Sequence, residues 1–157
     1  MKNLIVACII LLAGTSIQAQ DYQLAAGLRG GFNSGITVKK FIGGNSAVEG
    51  IIASRWDGFV VTGLYELHSP SVFDTPGLNA YYGVGGHIGF WDGDNVKWTD
   101  DSGSHTVIGV DGILGIEYNF NEFPINISLD WKPVFNIIGH SGFWGDNGAF
   151  SIRYIFR

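Results

Sequence analysis

Four histidines, His68, His87, His105 and His140, are the side chains with the widest chemical repertoire in this chain of 157 residues. A histidine becomes a catalytic base only when a nucleophile sits within hydrogen-bond reach. The single Cys, Cys8, lies in the N-terminal apolar run. Two serines directly follow histidines, in His68-Ser69 and His140-Ser141. Neighbours in an extended chain point to opposite faces, so neither pair forms a nucleophile and its base. Glu66 and His68 do share a face, and a hydrogen-bonded network is the reading their spacing favours. No catalytic residue is assigned and no enzyme activity is expected.

Other chemistry is weaker still. Asp92-Gly93-Asp94-Asn95 and Asp100-Asp101 supply the oxygen ligands that Ca²⁺ prefers. The EF-hand spacing breaks at Val96 and no Glu closes the loop, so a solvated acidic loop is the reading. The glycine runs precede no Lys-Ser/Thr, and residues 83–89 miss the dinucleotide spacing. No basic stripe points to nucleic acid. No cofactor is expected.

The elements that position the charges are more telling. Residues 149–157 alternate strictly: Phe150, Ile152, Tyr154 and Phe156 face one way, Ala149, Ser151 and Arg153 the other, with Ile155 the exception. This is the period of a strand whose faces meet different surroundings. An aromatic strand of this kind needs partners on both sides, which barrel closure supplies. The same alternation recurs over residues 22–32, 36–42, 47–56, 59–68, 78–91, 105–120 and 125–137. In the second of these, Lys40 falls on the apolar face near an end, where it can snorkel. Asp57-Gly58 reads as a hairpin turn. Residues 69–77, with Pro70 and Pro76, and residues 92–103 and 138–147 read as loops. Phe143-Trp144 in the last of these reads equally as an adhesive tip or as rim packing.

The expected fold is all-β: an eight-stranded antiparallel up-and-down transmembrane β-barrel spanning residues 20–157. Residues 1–19 read as a signal peptide, with Lys2, a short apolar run and a small residue at Ala19. Its removal takes away Cys8 and Lys2, so the formal charge moves from −5 to −6. No later apolar run is long enough for a membrane-spanning helix. A secreted apolar chain without such a helix crosses a membrane only as a closed barrel.

Alternation does not say which face is inside, and a soluble carrier of the lipocalin type has the same period. Two features favour an apolar exterior. The polar face is rich in glycine (Gly27, Gly31, Gly83, Gly85, Gly89, Gly109, Gly115), as a cramped interior requires. Aromatics recur near strand ends (Tyr22, Phe32, Trp56, Phe59, Phe90, Phe120, Phe156), as in interfacial girdles. The interior then holds Arg29, Lys39, Arg55, Lys132 and Arg153 against Glu49, Glu66, Asp111, Glu117 and Asp130, with His87 among them. Five charges of each sign read as a plugged, cross-linked lumen rather than an open ion path.

On these residues the chain resembles the small eight-stranded outer-membrane β-barrels, such as OmpX and the membrane domain of OmpA. The motifs are Gly35-Ile36-Thr37-Val38-Lys39, Leu64-Tyr65-Glu66-Leu67-His68, Pro76-Gly77-Leu78-Asn79 before Tyr81-Tyr82-Gly83, and the ending 152–156. The resemblance implies a multi-pass location in the cell outer membrane of a Gram-negative envelope. It implies contact with outer-membrane lipid and lipopolysaccharide, and divalent ions bridging lipopolysaccharide phosphates would meet the acidic loop. It also implies that Phe150, Ile152, Tyr154 and Phe156 form the signal read by the barrel-assembly machinery, with Arg157 a one-residue departure. A monomer is expected. A structural or surface-interaction role is the leading expectation and a small-solute or ion channel the alternative. A lipid-A-modifying enzyme and a soluble secreted lipocalin-like carrier are further alternatives; the deacylase type of barrel has a His-x-Ser pair, which this sequence lacks.

Overall fold

The computed structural model describes residues 23–92 and 103–157. The expected signal peptide, Tyr22 and most of the acidic loop, with its Ca²⁺ question, lie outside the described residues. Ten strands run β1 (Leu24–Gly31), β2 (Ser34–Gly43), β3 (Ser46–Arg55), β4 (Gly58–Ser69), β5 (Leu78–Asp92), β6 (Ser104–Asn119), β7 (Ile125–Trp131), β8 (Val134–Ile138), β9 (Gly142–Trp144) and β10 (Gly148–Phe156). All pairings are antiparallel, and β1 pairs with β10 to close the sheet on itself.

The ten segments make eight barrel strands. Both β7 and β8 pair with β6 in one register, Leu114 opposite Trp131 and Asp111 opposite Val134. They are one strand interrupted at Lys132-Pro133, because proline brings no N–H to the ladder. Likewise β9 pairs with β8 while β10 pairs with β7. Between Val134–Trp144 and Trp131–Gly148, residues 132–133 face residues 145–147, a one-residue bulge. The molecule is therefore a closed eight-stranded antiparallel up-and-down β-barrel.

Four local expectations are corrected. The uninterrupted strand over 125–137 is broken at Pro133, where the proline carbonyl still accepts from Gly112 at 2.9 Å. The loop over 138–147 is mostly β9 and the bulge, leaving 139–141 as its turn. The β3–β4 hairpin turns on Trp56 and Asp57, both at positive φ (49° and 61°), with Arg55 paired to Gly58. Gly58 is a packing position instead: a Cβ there would lie 2.3 Å from the Trp91 ring. The strand over 36–42 also proves longer, running Ser34–Gly43.

Period-2 alternation sorts the side chains as a barrel wall must. On β10, Ala149, Ser151, Arg153 and Ile155 are buried, while Phe150, Ile152, Tyr154 and Phe156 are exposed. On β4 every second residue from Gly58 to His68 is buried. The glycines facing inward make room for bulk: a Cβ on Gly115 would meet both the Tyr81 ring and the Asp130 side chain at 2.7 Å.

Candidate functional site: the filled polar interior

Arg29, Lys39, Glu49, Arg55, Glu66, His87, Asp111, Glu117, Asp130, Lys132 and Arg153 all lie buried inside the barrel. Strand register, which the sequence does not spell out, decides which of them meet. They fall into three groups.

The first surrounds Lys39 on β2. Its ammonium lies 2.9 Å from Glu66 (β4), 3.3 Å from Glu117 (β6) and 3.6 Å from Glu49 (β3). It also sits 3.9 Å above the centre of the Tyr81 ring, a cation–π contact. Arg153 on β10 reaches Glu49 at 2.5 Å and donates to Ser128 at 2.7 Å and Asn126 at 3.0 Å. Thr37 donates to Glu49. Arg29 on β1 grips Asp130 with both terminal nitrogens, and the Tyr81 hydroxyl donates to the same carboxylate at 3.0 Å. A bidentate guanidinium–carboxylate pair is the geometry that best repays desolvation.

The second group is smaller. His87 contacts Asp111 through Nδ1 and the Asn136 amide oxygen through Nε2 at 3.0 Å. Lys132 donates to the other Asp111 oxygen at 2.7 Å. Lys132 sits at the Pro133 interruption, so the break in the ladder coincides with a buried ion pair.

The third group closes the end of the barrel opposite Leu24 and Phe156. Arg55 pairs with Asn147 and with Asp146 at 3.1 Å. Its guanidinium lies 4.0 Å from the Trp56 ring centre and 4.9 Å from that of Trp144. Beneath it, Trp91 donates its indole N–H to the Arg55 carbonyl at 2.9 Å and packs with Val60, Val107 and Trp144. The Trp56 ring lies against the Arg55 guanidinium and meets Trp144 edge-on, and these contacts accompany its left-handed backbone, which bulky residues seldom adopt.

His68 shares its face with Glu66, as the spacing predicts: it stacks on Tyr81 with ring centres 5.0 Å apart and contacts Glu66 at 3.1 Å and Glu117 at 3.4 Å. Other participants are not singled out by the sequence, although parity along each strand carries the signal for them. Tyr81, Thr37, Asn126, Ser128 and Asn136 were findable in the same way, as polar residues on the inward parity. Phe143 and Trp144 separate: Phe143 is exposed and Trp144 packs inward.

In chemical terms the interior binds itself. Ser69 is exposed while His68 faces carboxylates. Among the described residues no group of His, Cys, Asp and Glu is arranged to hold a metal ion. Fold and interior together define a small eight-stranded antiparallel barrel of inverted polarity, charged within and apolar without. No family model matches the chain, and no curated protein matches it.

Proposed function

We propose that the protein is an integral outer-membrane β-barrel with a plugged polar lumen and a structural or surface-interaction role. The observation that carries this reading is the outward apolar belt on every barrel strand. Leu28, Val84, Leu114, Leu129, Phe135 and Ile152 are all half or more exposed. Water penalises such a belt, whereas hydrocarbon accepts it, and closure leaves no backbone edge to the lipid. The leader-like residues 1–19 and the resemblance to OmpX-type and OmpA-type barrels support the same address. In this reading Phe150, Ile152, Tyr154 and Phe156, all outward on β10, meet the assembly machinery.

A soluble carrier of the lipocalin type fits less well, since such a barrel keeps its apolar face inside. A channel fits less well too, because ion-paired side chains and the Arg55–tryptophan closure fill the axis. His68 faces Glu66 and Glu117, and His87 faces Asp111 and Asn136, so these two buried histidines serve the polar network rather than a serine nucleophile. Contacts with other molecules then fall to the turns at the barrel's ends.

Two measurements test the reading. Membrane extracts run on gels with and without boiling should show a compact species that shifts on heating. A protein found only in the soluble fraction would sink the proposal. Detergent-folded protein added to a planar bilayer should insert without steady conductance steps. Reproducible steps would overturn the plugged lumen and leave the membrane location standing.

A further inference from the structure

The strands turn nearly all of their charges inward. Among the described strand residues the outward face carries only Lys40, within the apolar belt, and Asp92, the last residue of β5. No described residue pairs with the Lys40 ammonium. Its place near the strand end lets the ammonium snorkel toward the headgroups, and the wall beside it shows what it can meet there.

Beside it the belt has a groove of about 480 Å³. Val38, Lys40, Tyr65 and Val84 form its walls. Its floor is the cross-strand pair Gly50–Gly63. These two glycines differ from those facing inward. A Cβ on either meets nothing within 4 Å, so packing of the wall does not require them. An aliphatic side chain at either position would fill the belt, and the two glycines leave the floor open.

The groove is graded along its length. Lys40, Val48 and Tyr65 lie in one row across β2, β3 and β4, on the side nearer the chain-terminus end. There the Tyr65 hydroxyl donates to Ser46 Oγ at 2.9 Å. The adjoining row is Val38, Gly50 and Gly63, wholly apolar. A cation and hydroxyls at one end with a hydrocarbon trough behind them match one chemical class. We propose that this groove holds an anionic phospholipid, its phosphate on Lys40 and one acyl chain over Gly50 and Gly63. The site rests on the membrane reading above.

The test uses the full barrel folded in detergent and native mass spectrometry with phosphatidylglycerol or phosphatidylcholine. The folded protein should retain one phosphatidylglycerol in preference to phosphatidylcholine. Lys40→Gln should lower that retention about fivefold, the worth of one lysine near an anionic headgroup. Gly63→Leu should reduce retention of both lipids by filling the trough. Arg157→Gln, outside the groove, should change nothing. Equal retention of the two lipids, or unchanged binding in Lys40→Gln, overturns the site. The same samples are run unboiled on gels: without a compact folded band the membrane reading falls and the site with it. A folded band without lipid preference removes the site alone.

Discussion

Around Lys39 the interior is held by ion pairs, whereas at the end opposite Leu24 and Phe156 it is held by indole rings around Arg55. The first region encloses its charges completely, with Lys39, Glu49, Glu66, Glu117 and Arg153 almost without solvent contact. The second leaves the carboxylate of its ion pair, Asp146, more than half exposed. Enclosed charges depend on one another, because a lone buried ion costs several kcal/mol. A guanidinium stacked on rings depends mainly on those rings, and its exposed partner adds little. The same wall thus holds its interior by two kinds of contact, one brittle to single changes and one tolerant.

The largest expected effect lies in the first region. Lys39→Met takes the shared cation from three carboxylates, leaving Glu66 and Glu117 only His68 while Glu49 keeps Arg153, and should cost about 3–5 kcal/mol of stability. Denaturant unfolding of the detergent-folded barrel measures it. Adding Glu117→Gln to that variant should recover part of the loss, and strict additivity would show the cluster to be uncoupled. Next comes Trp91→Phe, which keeps a ring but loses the bond to the Arg55 carbonyl and some volume. It should cost about 1–3 kcal/mol in the same assay. Last is Asp146→Ala, expected to cost no more than about 1 kcal/mol. A loss as large as that of Lys39→Met would erase the distinction between the two regions.

Parity along each strand made the wall legible in the sequence. Phe150, Ile152, Tyr154 and Phe156 could be set opposite Ser151 and Arg153 from spacing alone, and so could Glu66 opposite Tyr65 and Leu67. Parity also sent the charged residues to one face. Partnerships were not legible, because they depend on the register accumulated around the barrel. Arg153 meets Glu49 across 104 positions and Lys39 meets Glu117 across 78. Turn chemistry misled at Asp57-Gly58, where Gly58 is claimed by the Trp91 ring rather than by backbone conformation. The Gly142–Trp144 strand was hidden because a short run among Gly, Ser and His residues carries too little periodicity to register.

The closure between β1 and β10 also has a consequence in time. Arg153 sits on the last strand to emerge, yet it neutralises Glu49 on the third barrel strand. Until β10 docks, the interior lacks one of its cations and the sheet has two open edges. A nascent chain that stalls before residue 148 is thereby refused a finished interior. Interior charge balance and edge pairing are therefore completed by the same strand.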